Sequence, residues 1–492
     1  MQVDLVIKNA NVVTPGGVVT GGVGVKDGKV AAIATDEALP EAAEVIDGGG
    51  EYLLPGLVDP HAHPGGKYPI DEDFRTETPG AAAGGVTTVG AIVRVPRMGQ
   101  PFKEIAEPGD VISWLDAFPL GKDVSEANSL VDFFFTFTMN SMQHVEEVER
   151  CAEEIGVTSF KFHGNLKQPL TNPVSPRWAA RIGLPNAFDD SMFWVGFENI
   201  GHLAGSSARA MVHCENVELA PVFQRRLTED GVTGIKAWAQ RSQDFAEAEH
   251  VRRYGYLSKI AKAPFYVLHL SSKEGLDSCI RVKDEVPGTI VETCPHYLSL
   301  TAEDDYPGLL GKVNPPIRWR EDVEALWDGV ASGAIDTIGT DHVVSSRHEK
   351  LVKGDTSDHE TDPAEDIWAT GSGFTGLHTE LPVIFTEGVK KGRISVERLV
   401  EICCTTPAKV SGLYPRKGVI QLGSDADLVL VDSRTVRTVR AEELLTSCDF
   451  TVFEGRELTG WPALTILRGQ ILYRDGKVVA EPGIGRYIAR TA

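Results

Sequence analysis

No run in the 492-residue chain approaches the roughly 18 consecutive apolar residues that cross a bilayer as a helix, so a helical membrane protein is not expected. Cysteine is scarce and unpatterned. The seven are an odd number without a CxxC pair, which excludes a disulfide framework or a Cys-based zinc module and points to reduced thiols. Positive charge is the minority sign: 48 Lys and Arg face 70 Asp and Glu, a net charge of −22. Nucleic-acid backbones and anionic membranes would be repelled at long range, so neither is an expected partner. The opening residues, Met1-Gln-Val-Asp-Leu-Val-Ile-Lys, have neither the basic nor the long apolar segment of a secretion signal, and the expectation is a cytoplasmic protein. No internal repeat or low-complexity tract occurs. What is present is a globular composition, 42% hydrophobic and 24% charged, long enough for one large domain of roughly 250–350 residues and a smaller one.

The two ends of the chain read alike. Short β-branched runs broken by Asp-Gly and Gly-Gly turns fill the first fifty or so residues and return near 423–432 and 463–479. Each piece is too small to fold alone, so they are expected to pack together. Between them, short apolar runs alternate with longer amphipathic segments, the pattern of βα units. Strands are predicted near 57–61, 86–93, 131–138, 159–163, 209–213, 265–269, 289–294 and 336–340. Eight parallel strands close a (β/α)8 barrel. The expected organisation is a TIM barrel over 55–405 with a small composite β-sandwich domain from 1–54 and 406–492.

The chemistry-bearing residues sit where these strands end. In Pro55-Gly-Leu-Val-Asp-Pro-His61-Ala-His63, residues two apart on a strand face one side, so two imidazoles can meet one metal. The runs 209–213 and 265–269 each stop at a histidine, His213 and His269, and 335–341 stops at Asp341 followed by His342. Barrel strand ends converge on one face, which makes these distant residues neighbours. The run 156–163 carries Lys161, a costly ammonium if buried among metal ligands; a carbamate formed with carbon dioxide would instead supply a bridging anionic oxygen.

Taken together the chain resembles the amidohydrolase superfamily, in particular the cyclic amidohydrolases that include dihydropyrimidinase/hydantoinase, allantoinase and dihydroorotase. The likeness runs through 55–63, Gly84-Gly-Val-Thr-Thr-Val, Ser159-Phe-Lys161, Val212-His213-Cys-Glu-Asn, His269, Glu292-Thr-Cys-Pro-His-Tyr-Leu, Lys312-Val-Asn-Pro-Pro-Ile-Arg318 and Gly339-Thr-Asp341-His342. It implies two divalent metal ions, zinc as a rule. His61 and His63 would hold the more buried ion, His213 and His269 the second, N6-carboxylated Lys161 would bridge them, and Asp341 would complete the set. It also implies opening of a cyclic amide, imide or ureide C–N bond by a metal-bridging hydroxide, with Asp341 as general base and then acid. Asn314 matches the position whose backbone binds the ring amide. His163, His342 and Arg318 are further substrate-binding expectations, and His296 could stand behind the ligands. A homo-oligomer, tetramer or dimer, acting on a small molecule is implied as well.

Departures from the family text narrow the ring. Gly65 and Arg97 stand where dihydroorotase has its carboxylate-binding Arg and Asn, and Val93-Arg-Val-Pro-Arg-Met replaces the Met-Pro-Leu-Asn of allantoinase. Leu166 stands where hydantoinases have an oxyanion-binding Tyr; His163, on the face of Lys161, is the expected substitute. Arg94, Arg97 and Lys167 could contact an anion. Trp178, Phe188, Met192, Phe193 and Trp194 read either as helix core or as an apolar lid. The expected activity is hydantoinase/dihydropyrimidinase-like on a non-standard substrate. The alternatives are an allantoinase-like ureide hydrolase, an acyclic amide hydrolase or deaminase, and a non-catalytic scaffold.

Overall fold

The computed structural model describes residues 2–94, 111–164, 189–353 and 366–491. Five strands come first: Val3–Thr14 (β1), Gly17–Lys26 (β2), Lys29–Ala34 (β3), Ala42–Asp47 (β4) and Tyr52–Pro55 (β5). Eight follow: Leu57–Ala62 (β6), Val86–Val93 (β7), Asp132–Thr138 (β8), Ser159–His163 (β9), Arg209–His213 (β10), Phe265–Val267 (β11), Ile290–Thr293 (β12) and Thr337–Ile338 (β13). Then come Leu428–Asp432 (β14), Arg437–Thr438 (β15), Glu457–Leu458 (β16), Trp461–Leu467 (β17), Gln470–Arg474 (β18) and Lys477–Val478 (β19).

Strands β6 to β13 form one parallel sheet in chain order. Their sequences explain this. VTTVGAIV in β7 and DFFFTFT in β8 are buried at every position, as strands covered on both faces must be. The sheet closes on itself where Ala62 pairs with His342. There the His63 N–H donates to the His342 carbonyl at 2.8 Å, and the Asp341 N–H donates to the His61 carbonyl at 2.9 Å. The result is a (β/α)8 barrel. Among the described residues no helix is long and apolar enough to cross a membrane.

Both chain ends build a second, nine-stranded sheet in the order β19-β18-β17-β14-β5-β1-β2-β3, with β4 on β1. Strand β5 is the seam, antiparallel to β14 with Leu53 opposite Leu430. This sheet has its own core of Leu5, Ile7, Val12, Val23, Leu428 and Ile466. Strands β15 and β16 pair separately.

A buried charge cluster pins the sheet to the barrel. Asp132, first residue of β8, meets Asp425 and Asp427 beside β14, and the Lys417 ammonium lies 2.6, 3.0 and 2.6 Å from the three carboxylates. Arg468 also reaches Asp132, and Arg416 reaches Asp425 at 2.9 Å. Three converging acids look like a cation site, and the cation is Lys417. Removing it leaves buried carboxylates short of their central partner, so Lys417→Met is expected to cost about 3–5 kcal/mol in urea unfolding. A loss below about 1 kcal/mol, the level of an exposed pair, would show that the cluster does not hold the domains together.

Candidate metal centre

Five strand ends deliver the predicted ligands to one face. His61 lies in β6 with His63 just beyond it, Lys161 is the third residue of β9, and His213 is the last of β10. His269 and Asp341 stand past the ends of β11 and β13. Both adopt left-handed backbone, φ +37° and +51°, which non-glycine residues hold only where their surroundings impose it. Gly339 is required by crowding: a Cβ there would come within 2.9 Å of both the His61 Cβ and the Glu292 carboxyl carbon.

The polar atoms converge tightly. Lys161 Nζ lies 2.9 Å from His61 Nε2 and 3.1 Å from His63 Nε2, and those two nitrogens are 3.2 Å apart. Asp341 Oδ1 is 3.1 Å from the first and 3.0 Å from the second. The ring of His269 lies 5.3 Å from that of His61 and 4.3 Å from that of His213, and its buried Nδ1 has no hydrogen-bond partner. Imidazole lone pairs and a carboxylate gathered around one point, with an unsatisfied nitrogen beside them, fit a divalent cation. The side chains of Asp341 and His63 are 13% and 11% exposed where that of His61 is 0%, so the first two face the open side of the cluster.

Burial sets the protonation states. It pushes the pKa of His63, His213 and His269 down, which favours neutral imidazoles with a lone pair free to coordinate. His61 is raised: burial and Lys161 oppose its charge, but Glu292 and Asp341 outweigh them. Burial brings Lys161 down to about 8. Burial also works against the Asp341 anion, yet His61 and His63 hold its carboxyl well below the usual range.

Three acids behind the ligands were not assigned roles from sequence. Glu292 on β12 accepts from His61 Nδ1 at 2.7 Å, from the His269 N–H at 3.1 Å and from the Tyr266 hydroxyl at 2.7 Å. It thereby fixes the His61 tautomer and leaves Nε2 for a metal. Glu215 stands 2.9 Å from His213 Nε2. Burial would raise its pKa, but His213, Ser242 and Arg241 bring it down to about 2. Asp59 accepts from the His61 N–H at 2.9 Å and from the Thr340 hydroxyl at 2.5 Å. The available signal was an acid inside an otherwise apolar strand, as in Ile290-Val-Glu-Thr.

Comparison with known proteins gives the family. The Amidohydrolase family profile matches residues 230–472. The L-hydantoinase of Paenarthrobacter aurescens is 32% identical over 99% of this chain and 98% of its own. The chain belongs to the amidohydrolase superfamily, in its cyclic amidohydrolase group. The D-hydantoinase of Ralstonia pickettii is 30% identical over 99% of both chains. The solved structure of L-hydantoinase (dihydropyrimidinase) from Arthrobacter aurescens superposes with a TM-score of 0.84 at 31% identity, covering 99% of this chain and 100% of that one. This amidohydrolase is therefore an enzyme that hydrolyses C–N bonds of cyclic amides.

The remaining predicted residues of the amidohydrolase divide into two groups. His163 is at the metal face, its Nε2 3.1 Å from Arg94 Nη2; burial, then Arg94, keeps its pKa well below 6.5. Asn314 Nδ2 donates to Ser372 Oγ at 3.4 Å, and its Oδ1 is buried without a partner. Arg318 is engaged in part, its Nη2 buried without a hydrogen-bond partner. Buried, it donates to the Ser271 hydroxyl at 3.1 Å and to the Ser242 carbonyl, and it faces Asp244 at 3.4 Å, holding the loop that follows His269. His342 turns to Glu77. Buried His296 packs edge-on against Phe374 at 4.9 Å. Met192 and Phe193 are core, Phe193 stacking on Tyr254 at 4.3 Å. Arg97, Leu166, Lys167, Trp178 and Phe188 lie outside the described residues.

One buried histidine near the site gives a pH test. His378 accepts the Leu445 N–H at 3.0 Å and packs edge-on against Trp461. Burial brings its pKa down to about 4. The unfolded chain takes this proton below about 6.5 while the folded one stays neutral, so its contribution to stability is lost as pH falls from 6.5 towards 4. His378→Gln keeps an acceptor and removes the titration. Its stability relative to wild type is expected to improve by up to roughly 3 kcal/mol between pH 7 and 4. A difference that stays flat with pH in denaturant titrations would contradict this.

Proposed function

We propose that this amidohydrolase opens the ring of hydantoins or dihydropyrimidines at a binuclear centre. The ligands would be His61, His63, His213, His269, Asp341 and an N6-carboxylated Lys161, with zinc as the native metal. The observation that carries this reading is Lys161 Nζ seated between the Nε2 atoms of His61 and His63, where a carbamate on Lys161 would add an anionic oxygen donor to the imidazoles. The hydantoinase names of the relatives support the ring class.

When bound, the divalent ions supply Lewis acidity, lowering the pKa of water towards neutrality and polarising an amide carbonyl. The chain's own groups do the rest. Asp341 takes a proton from the attacking water and returns it to the leaving ring nitrogen. Asn314 holds the ring amide through its backbone. His163, kept neutral with its Nε2 accepting from Arg94, donates through Nδ1 to the developing oxyanion in place of the tyrosine that Leu166 replaces. The chain would assemble as a homo-oligomer, a tetramer or dimer.

Protein reconstituted with zinc and bicarbonate is expected to open 5-substituted hydantoins or dihydropyrimidines, and Lys161→Ala to lose both metal and turnover. Chromatographic product analysis checks this: one ring-opened carbamoyl acid, with no ammonia released. Ammonia release, or silence from protein shown to hold its metal, would overturn the assignment. His163→Ala is expected to cost roughly 10²-fold in kcat as a lost oxyanion donor. Turnover within about threefold of wild type would remove His163 from that role.

A further inference from the structure

Behind Asp341 lies a polar chain that the mechanism above does not use. His342 Nδ1 accepts N–H bonds from Gly376 at 3.1 Å and Leu377 at 3.3 Å, which places the ring proton on Nε2. That nitrogen stands 3.2 Å from Oε2 of Glu77, off the line of a straight hydrogen bond. Glu77 projects from the helix Ile70–Ala83 and is buried, as is His342. Its Oε1 accepts from the Ser447 N–H at 2.9 Å and the Ser447 hydroxyl at 2.8 Å, while Oε2 accepts from the Thr446 hydroxyl. Burial would raise the Glu77 pKa, but His342, Ser447 and Thr446 outweigh it and hold the group at about 2.

These contacts fix the backbone that presents Asp341. Residues 341 and 342 close the barrel against β6 through two N–H bonds, with Asp341 at φ +51°. The His342 side chain, clamped between two backbone N–H groups and the Glu77 carboxylate, ties that turn to the layer outside it, alongside the Val343 N–H bond to the Phe374 carbonyl at 3.0 Å. We infer that Glu77 is a positioning residue: it seats His342 and so sets where the Asp341 carboxylate points. Thr446 and Ser447, more than a hundred residues downstream in the C-terminal part, then act on the same proton transfer through Glu77. The inference rests on Asp341 carrying the proton in the proposed hydrolysis, and it adds to that reading a helix and a C-terminal turn that touch no substrate.

The test compares Glu77→Ala, Glu77→Gln and Ser447→Ala with wild type. Ser447 is exposed, so its variant guards against a folding defect. Misplacing a reacting group by about an ångström can cost about 10²-fold. Glu77→Ala is therefore expected to lower kcat at least about tenfold with KM within about twofold and metal content unchanged. Glu77→Gln, which keeps an acceptor oxygen, should recover most of the loss, and Ser447→Ala should fall between it and wild type.

Amide hydrogen exchange of the metal-free proteins supplies a second readout. Peptides over 61–66 and 339–343 should exchange faster in Glu77→Ala, while those over β8 and β9 stay as in wild type. Wild-type kcat and exchange in folded Glu77→Ala would overturn the inference. So would a loss confined to KM, or exchange raised across the whole barrel. If wild type opens no ring, the hydrolytic reading fails and the exchange pattern alone decides the positioning role.

Discussion

Everything at the metal-binding face depends on how the last barrel strand meets the first. A parallel sheet of eight strands becomes a barrel only if its edges pair, and here β13 is two residues long. The seam is completed by irregular backbone: the Asp341 N–H bonds to the His61 carbonyl, and the His63 N–H to the His342 carbonyl. Asp59 ties the same edges from below through the Thr340 hydroxyl and N–H. The residues that close the fold are thus the proposed metal ligands or their direct neighbours in sequence. Asp341 sits over His61 and His63 because the barrel cannot close in this register without putting it there.

This arrangement has an electrostatic consequence. Lys161, the histidines and several carboxylates share a buried volume, where an unpaired charge is expensive. The chain handles this in two ways. Most of the imidazoles are held neutral, and several have a carboxylate behind them: Glu292 for His61, Glu215 for His213, Glu77 for His342. A cation is what the remaining lone pairs ask for. The crowding that makes the centre costly to build is what makes it selective for a divalent ion with imidazole and carboxylate ligands.

Much of this was legible in the sequence. Strands buried on both faces leave unbroken apolar runs, so the eight barrel strands could be read from 57–61 to 336–340 close to where they lie. Polar residues that end such runs stand out, and His61, His63, Lys161, His213, His269 and Asp341 were found that way. The runs at 265–269 and 336–340 overshoot, because β11 and β13 stop short and the backbone turns left-handed at His269 and Asp341, a change that side-chain type does not announce.

Partner choice was not legible. Arg318 stands in a family-like motif, and its Nε and Nη1 meet Ser271, Ser242 and Asp244 while its buried Nη2 has no hydrogen-bond partner. Lys417 meets an aspartate 285 residues away, and no local pattern encodes that meeting. Likewise Glu77 reads as one more acid in the first turns of a helix.

The central claim is that this face holds two divalent ions bridged through a carboxylated Lys161. Its most direct test is to load metal-free protein with zinc in ¹³C-bicarbonate, count bound metal by plasma mass spectrometry and record the ¹³C spectrum. The account predicts about two zinc ions per chain and a carbamate carbon signal, both lost in Lys161→Ala. A single ion per chain, or full loading without a carbamate signal, would contradict it.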